Sequence, residues 1–280
     1  MNEVFQKTIA KECSIEGTGL HTGAHSTVRF KPAPVNAGIQ FHRNGSRVDS
    51  NVVNETRRCT VLGSETNRVQ TVEHLLATFS GLGITNILVD IDGPEVPGLD
   101  GSAIPFVRIL KEAGILNQSE KKEIYKIKEP IFCFEGKKAI SIYPADEFRV
   151  NYLLDYDCPG LRNQTFEFVL NPKNFENEIA PARTFCTEKE GAELKKMGFG
   201  SGATYENTLV FSEAGPIQNK LRFSDECARH KVLDVLGDLS LLGFAVAGCV
   251  IGIRSGHSLN RKLVQEILAQ REKTKERGHD

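Results

Sequence analysis

The sequence runs through the same order of secondary-structure segments twice. In each half, strand-like segments precede a helix, a glycine, an apolar strand, a glycine-rich turn and a closing helix. The pattern predicts the first helix of each series over TVEHLLATFSGLG (71–83), with Thr71 as its N-cap, and over SDECARHKVLDVLGDLSLLG (224–243). Such a repeat indicates an internal duplication, although any α+β chain contains some coincidences of this kind.

The repeat predicts an α+β fold of two similar domains, each a β-sheet layered against helices, which pack face to face. The 280 residues are enough for two domains of ordinary size. The polar stretch NQSEKKEIYK (117–126) looks like a connection, so we predict domains at 1–119 and 126–280. His74 and His230 lie near the start of the first helix in their halves, and they would converge if these two helices meet.

The composition excludes several classes of protein. A net charge of -1 gives no electrostatic attraction for nucleic acid, so we expect no nucleic-acid partner. The N-terminus lacks the pattern of a signal peptide, and the longest apolar stretch, 239–253, is too short to span a bilayer. The seven cysteines include no CxxC pair, which argues against a thiolate zinc site and a disulfide framework. We therefore predict a cytoplasmic protein.

Three ionisable residues share one face of the helix predicted at 224–243. His230, Asp234 and Asp238 are spaced i, i+4 and i+8, and aliphatic residues occupy much of the remaining circumference. Burying such groups is costly unless they are paired or bind a metal. The alternative is a hydrogen-bonded surface pair, which is the commoner role of an isolated His-x-x-x-Asp.

The other predicted helix adds Glu73 and His74. Catalytic zinc usually takes three protein ligands and leaves one position for water. His74, His230 and Asp234 would supply such a set, with Glu73 beside the metal as a candidate base. The spacing alone leaves this assignment open.

Gly237 and His257 occupy two further unusual positions. Gly237 lies in the middle of a predicted helix, where glycine costs about 1 kcal/mol relative to alanine; a close approach of substrate or backbone would explain it. His257, in the turn RSGHSL, lies between an apolar strand and a helix, where catalytic groups are common. A lone loop histidine is more often incidental, although Asp238 could reach it and stabilise its protonated form.

Six motifs follow one another in order over both halves of the chain. They are EGTGLHTG (16–23), TVEHLLA (71–77), DGPEVPGLDGSA (92–103), PARTF (181–185), RHKVLDVLGDL (229–239) and SGHSLN (255–260). This set resembles that of the UDP-3-O-acyl-N-acetylglucosamine deacetylases, and the resemblance extends over essentially the whole chain.

The resemblance implies an enzyme with one zinc ion (Zn2+) per chain, bound by His74, His230 and Asp234, in an active site between the two domains. The family hydrolyses the N-acetyl group of UDP-3-O-[(3R)-3-hydroxyacyl]-N-acetylglucosamine, releasing acetate and the free 2-amino sugar, in the committed step of lipid A biosynthesis. The expected partner is therefore a nucleotide-linked acylated amino sugar. We expect a monomer that makes at most transient contact with a membrane surface.

The resemblance also implies catalytic roles. Glu73 matches the family's general base, and Thr184 in PARTF matches the hydrogen-bond donor to the tetrahedral oxyanion. His257 matches the catalytic histidine, whose protonated form either stabilises negative charge or gives a proton to the leaving amine, and Asp238 matches its orienting partner. Whether Glu73 transfers both protons, or His257 gives the second, stays open.

Three residues match the family's substrate contacts. Lys231 could contact the sugar or diphosphate, Phe185 could pack against the sugar or nucleotide, and His21 in GLHTG lies in the family's site. The family also has a small βαβ insert in the second domain that forms an apolar passage for the acyl chain, which we expect near 186–209.

Two alternative functions can each be distinguished from this deacetylase by one measurement. A zinc amidase for a different acetylated sugar would act equally well on the acyl-free nucleotide sugar. A nucleic-acid-binding α+β module would bind RNA in a salt-sensitive manner, which the near-neutral charge argues against.

Overall fold

A computed structural model describes residues 4–49, 53–55 and 59–277 of the chain. The strands are β1 Phe5–Ile9, β2 Cys13–Thr18, β3 His25–Pro32, β4 Ile39–Arg43, β5 Ser46–Arg47, β6 Val53–Glu55, β7 Thr60–Gly63, β8 Arg68–Gln70, β9 Ile87–Ile91, β10 Ile115–Lys121, β11 Ile124–Lys126, β12 Ile131–Glu135, β13 Lys138–Tyr143, β14 Phe148–Leu154, β15 Gln164–Val169, β16 Phe185–Thr187, β17 Leu209–Ser212, β18 Gly215–Pro216 and β19 Ala245–Ile253. The helices are α1 Glu73–Leu82, α2 Ile104–Glu112, α3 Pro172–Asn174, α4 Glu188–Lys196, α5 Glu226–Leu239 and α6 His257–Arg277. Short 3-10 turns lie at Pro159–Leu161 and Ser240–Leu242, and a π-helical turn lies at Phe175–Ile179. These elements confirm the predicted α+β class.

Two large sheets have the same strand order. The first runs β2-β3-β9-β4-β5 and the second β12-β13-β19-β14-β15, with β11 paired to β19. In both five-strand orders the strand that comes last in the chain, β9 or β19, lies at the centre, antiparallel to β3 or β13 and parallel to β4 or β14. This shared topology supports the internal duplication inferred from the sequence. The domain bounds stay a prediction, and their outer ends, residues 1 and 280, lie outside the described residues.

Helices cover one face of the sheets. Helix α5 contacts β14 and β15, and α6 contacts β12 and β13. On the first sheet, Phe79 of α1 meets Phe30 of β3 edge-on, with ring centroids 6.2 Å apart. Because side chains alternate along a strand, Val150 and Leu154 of β14 are fully buried while Asn151 between them is only half-buried. The apolar faces of helices and sheets together form the core.

Helices α1 and α5 touch each other backbone to backbone. A Cβ atom at Gly237 of α5 would lie 2.3 Å from the carbonyl oxygen of Glu73, the first residue of α1. Only glycine permits this approach, which accounts for its place in the middle of a helix. The contact brings the start of α1, with His74, against the middle of α5.

The prediction that Thr71 is the N-cap of α1 is wrong. The helix begins at Glu73, Val72 precedes it in helical conformation, and no side chain caps it. Thr71 instead has a positive φ of 60°, and its hydroxyl donates a hydrogen bond to Oε1 of Glu95 at 2.8 Å. An N-cap residue has an extended backbone, so the left-handed conformation of Thr71 takes it out of the capping position, and the bond to the buried Glu95 holds its hydroxyl there.

Residues 185–212, in the second half of the chain, form a smaller unit of their own. Strands β16 and β17 are parallel and α4 connects them, so the unit has βαβ order. Thr187 and Glu190 form a reciprocal capping box that fixes the start of α4. Among the residues described, none of the helices is long and apolar enough to cross a membrane.

Candidate metal centre

Two histidines and an aspartate converge where α1 meets α5. His74, His230 and Asp234 are buried, and each offers a ligand atom within 4.8 Å of the others. The two imidazole rings lie 5.0 Å apart between centroids, and Nε2 of His230 is 3.5 Å from Oδ1 of Asp234. Nδ1 of His230 lies 3.1 Å from the carbonyl oxygen of Ala182 and must donate to it, which leaves Nε2 free to bind a metal.

The electrostatic environment keeps these three side chains in the forms that bind metals. Burial, reinforced by His230, lowers the pKa of His74 to about 3, and burial also lowers the pKa of His230. Burial alone would raise the pKa of Asp234, but Lys231, whose Nζ lies 2.6 Å from Oδ2, together with His230 and His257 outweighs it and lowers the pKa. Two neutral imidazoles and one ionised carboxylate form a donor set that fits zinc.

Glu73 and His257 lie beside this cluster. Oε1 of Glu73 is 3.9 Å from Nε2 of His257, and Oε2 accepts a hydrogen bond from the backbone N–H of Thr60 at 3.0 Å. Burial raises the pKa of Glu73 to about 7. Burial would lower the pKa of His257, but Asp238, with Oδ2 2.8 Å from Nδ1, together with Asp234 and Glu73 outweighs it and raises the pKa to about 9. A base and an acid with complementary protonation states therefore face each other.

Two residues that the sequence analysis missed hold Asp238 in place. The hydroxyl of Thr60 donates to Oδ1 at 2.6 Å, and Nδ2 of Asn260 donates to Oδ2 at 2.9 Å. Asn260 follows His257 by three residues in α6, so helical spacing could have identified it. Thr60 comes from β7, far away in the sequence, and nothing in its local pattern indicates this contact.

The segment PARTF runs past the ligand cluster. Phe185 meets the ring of His230 edge-on with centroids 6.2 Å apart. The backbone N–H of Thr184 donates to the carbonyl oxygen of Gly101, and its own carbonyl oxygen accepts from the N–H of Leu209. These two hydrogen bonds hold the backbone of Thr184 on both sides. Lys231, the other predicted substrate contact of this region, forms the ion pair with Asp234 described above.

Arg183, in the same segment, was also missed. Its guanidinium donates from Nε to Oε1 of Glu226 at 2.8 Å, and both side chains are buried. This pair ties PARTF to the first residue of α5, and so positions the Ala182 carbonyl against His230. A buried arginine needs an acidic partner, but the burial of Arg183 becomes visible only in the folded chain.

A comparison with known protein families identifies the group to which these residues belong. The sequence model described as UDP-3-O-acyl N-acetylglycosamine deacetylase (LpxC) matches residues 6–269. The chain belongs to this family. The match confirms the resemblance inferred from the six motifs, and it covers every predicted site residue.

Individual members of the deacetylase family are similar over nearly the full chain. A UDP-3-O-acyl-N-acetylglucosamine deacetylase from Anaeromyxobacter sp. (strain Fw109-5) is 40% identical over 269 residues, covering 94% of this chain and 88% of that protein. The enzyme of the same name from Syntrophotalea carbinolica is 42% identical over 276 residues, covering 95% and 88%. That of Thermodesulfovibrio yellowstonii is 38% identical over 268 residues, covering 94% and 92%.

His21 does not lie on α1 or α5, the helices that carry the His74, His230 and Asp234 cluster. Its ring meets Phe199 of the 185–212 unit edge-on at 5.6 Å, and its carbonyl oxygen accepts from Ser201. Its backbone N–H donates to Oε1 of Glu95 at 2.9 Å, the oxygen that also holds Thr71. Glu95, which the sequence analysis did not single out, thus links the His21 loop to the residues just before α1.

Proposed function

We propose that this chain is a zinc-dependent amidohydrolase that removes the acetyl group from UDP-3-O-[(3R)-3-hydroxyacyl]-N-acetylglucosamine in lipid A biosynthesis. The observation that carries the proposal is the buried cluster of His74, His230 and Asp234 beside Glu73, in a chain of the deacetylase family. The cytoplasmic location, the monomeric state and the transient membrane contact remain predictions.

The cluster would hold one zinc ion. When bound, the ion lowers the pKa of a water and polarises an amide carbonyl. The chain's own contribution is to keep both imidazoles neutral and the carboxylate ionised, through burial and through Lys231. The hydrogen bond from His230 to Ala182 fixes the ring's orientation and tautomer.

Glu73 and His257 would move the protons of the reaction. Hydrolysis adds a water oxygen to the acetyl carbonyl carbon, breaks the C–N bond, and leaves acetate and a free amine. Glu73, ionised above about pH 7, accepts the proton that the attacking water loses. The leaving amine takes a proton from Glu73 or from His257, which Asp238 keeps protonated up to about pH 9. Thr184 would donate a hydrogen bond to the developing oxyanion.

The substrate would extend from this centre over the smaller unit. Phe185 offers an apolar ring beside His230 for the sugar or nucleotide, and Lys231 offers an ammonium group for sugar or diphosphate oxygens. The βαβ unit at 185–212 would guide the acyl chain, and its contact with His21 connects that unit to the first half of the chain.

Metal analysis combined with an acetate-release assay tests the proposal. Purified protein should hold about one zinc per chain, chelation should abolish acetate release from the 3-O-acylated nucleotide sugar, and zinc should restore it. Full activity of metal-free protein would refute the zinc mechanism. Equal activity on the acyl-free nucleotide sugar would instead indicate a zinc amidase for a different acetylated sugar.

A further inference from the structure

Two phenylalanines lie exposed side by side on β12. Phe132 and Phe134 expose 52% and 64% of their surface, and their rings stack with centroids 6.3 Å apart. The ring of Phe132 also meets that of Tyr143 edge-on at 5.6 Å. The proposed reaction uses none of these rings. A cluster of large apolar side chains in contact with solvent marks an interaction site.

The cluster lies on the outer face of the second sheet, at its edge. Strand β12 is an edge strand, and Cys133 between the two phenylalanines is buried on the opposite, helix-covered face. Phe134 stands opposite Ala139 of β13, which in turn stands opposite Ile253 of β19, 37% exposed. We call Phe132, Phe134, Tyr143 and Ile253 the hairpin patch.

One end of the hairpin patch, at Phe134 and Ile253, lies where β19 leads to the proposed active site. Ile253 ends β19, and the short turn after it runs directly into His257, the first residue of α6. The tip of the β12–β13 hairpin carries two lysines. Nζ of Lys138 is 3.9 Å from Glu135, whereas Lys137 forms no ion pair with any residue that the structure describes.

We propose that the hairpin patch docks on an anionic lipid surface. Phe132 and Phe134 would enter the interfacial layer, where aromatic side chains are enriched, and Lys137 would lie among anionic headgroups. The apolar area favours lipid over a protein partner. Phe132, Phe134 and Ile253 together expose about 300 Å2, taking ~200 Å2 for a full aromatic side chain, whereas a stable protein interface needs about 800 Å2 per partner.

Docking would serve the reaction, and this part of the inference rests on the proposed function. A substrate with one acyl chain binds membranes weakly and reversibly, so part of it resides at the lipid surface. An enzyme held there would meet that fraction, because Ile253, which belongs to the patch, ends β19 only a short turn before His257. The docking itself requires no substrate and can be measured on its own.

The absence of tryptophan from the chain provides a site-specific probe. Phe134→Trp would create a single tryptophan within the hairpin patch. Leu116→Trp, at a site that is 50% exposed on β10, is the matched control. With vesicles of phosphatidylethanolamine and phosphatidylglycerol, we expect a blue shift of the Phe134→Trp emission and quenching by lipids brominated on the acyl chain. Leu116→Trp should show neither effect.

Sedimentation with vesicles measures how much each side chain contributes to lipid binding. The double variant Phe132→Ser with Phe134→Ser should lower partitioning to these vesicles at least about tenfold, and Lys137→Gln should lower it about fivefold, equivalent to ~1 kcal/mol per basic residue near the surface. Leu116→Ser should change it less than about twofold. Because all these side chains are exposed, thermal unfolding should change little, and acetate release from dispersed substrate should remain.

Three results would overturn the lipid proposal. One is equal partitioning of the double variant and the parent chain. Another is an emission shift of the same size at residues 116 and 134. The third is an emission shift that follows protein concentration without vesicles, together with a dimer in sedimentation velocity, which would assign the patch to a second copy paired through β12. A chain without deacetylase activity that still binds vesicles would refute the proposed function and leave the docking intact.

Discussion

Burial disfavours the charged form of both Glu73 and His257, but it decides the direction of the pKa shift only at Glu73. Burial raises the pKa of Glu73 to about 7, while at His257 the surrounding carboxylates, Asp238 foremost, together overcome burial and raise the pKa to about 9. Between these two values Glu73 is ionised and His257 is protonated, as their proposed roles require. The activity of the parent chain should therefore rise with pH through the Glu73 titration and fall through that of His257.

Replacing Asp238 should shift mainly the alkaline side of this profile, because its charge is the strongest of those that raise the pKa of His257 and the weakest of the causes at Glu73. In Asp238→Asn the charge that stabilises protonated His257 is gone, so the pKa of His257 should fall and the alkaline limb of kcat/KM should move down by roughly 1–2 pH units. A kcat/KM profile against pH measures the shift. Glu129→Gln, which removes an exposed carboxylate elsewhere, should leave both limbs in place. An unchanged alkaline limb in Asp238→Asn would remove His257 from the reaction.

The variant Glu73→Gln tests whether Glu73 acts as the proposed base or instead supports the proposed metal ligands. The amide has the shape of the carboxylate and can still accept from the Thr60 N–H through its oxygen, so the fold and the neighbouring His74 should be preserved. We expect kcat to fall about 10²–10⁴-fold, the usual contribution of a general base, while zinc content stays at the parent level. Near-normal turnover would exclude Glu73 as the base, and loss of zinc would show that it supports the ligands instead.

At the scale of elements, the contact between α1 and α5 is the feature on which the cluster depends. In Gly237→Ala the new Cβ would lie 2.3 Å from the Glu73 carbonyl oxygen, so the helices must separate. We expect the free energy of unfolding to fall by about 1–3 kcal/mol, as for overpacking, although alanine favours helix by about 1 kcal/mol. Zinc affinity should fall as well, because His74 moves away from His230.

Gly191→Ala in α4 is the matched control. Gly191 is also inside a helix, but a Cβ there would meet Cys186 Sγ at 3.5 Å, an ordinary van der Waals distance. Helix propensity should then dominate and raise the unfolding free energy by about 0.5–1 kcal/mol. Urea unfolding of both variants measures the difference. A Gly237→Ala variant as stable as Gly191→Ala would contradict the close helix contact.

The elements also show what sequence can and cannot predict about the site. The spacing of His230, Asp234 and Asp238 follows from helical periodicity, and the helix predicted at 224–243 is found as α5 with the 3-10 turn after it. Asp238 meets His257 because α6 starts beside α5. The Thr60 contact depends instead on how β7 lies against α1 and α5. Thr71 does not cap α1, and its hydroxyl donates instead to Glu95 from another loop. Such long-range competition leaves no local pattern.

At the scale of the whole molecule, duplication explains why two halves build one cluster. The repeat in the sequence predicted two similar α+β halves, and the two large sheets have the same strand order and directions. It placed His74 and His230 at related positions, but their convergence depends on α1 and α5 meeting each other. The structure supplies that contact through Gly237. Each half contributes side chains to the cluster, His74 from the first and His230 and Asp234 from the second.

The cluster should couple metal binding to the stability of the whole chain over an unusually wide pH range. Burial holds the folded pKa of His74 at about 3, below the ~6.5 of an unfolded chain. The unfolded state therefore binds the extra proton first, so the contribution of His74 to stability is complete above about pH 6.5 and is lost as the pH falls from there through about 3. In the folded state, zinc does not have to displace a proton from His74 at mildly acidic pH.

We therefore expect zinc to raise the melting temperature of metal-free protein by similar amounts at about pH 7.5 and about pH 5.5, although the metal-free protein itself melts lower at the acidic pH. At 100 times its dissociation constant the ion should contribute about 2.7 kcal/mol. Differential scanning calorimetry measures both effects. His74→Ala, which removes one donor from the cluster, should lose most of the zinc-dependent increase at either pH, whereas His42→Ala, on β4, should retain it. If the increase disappears at the acidic pH in the parent chain, the imidazoles must be protonated there, and the cluster is not the preformed metal site inferred from its burial.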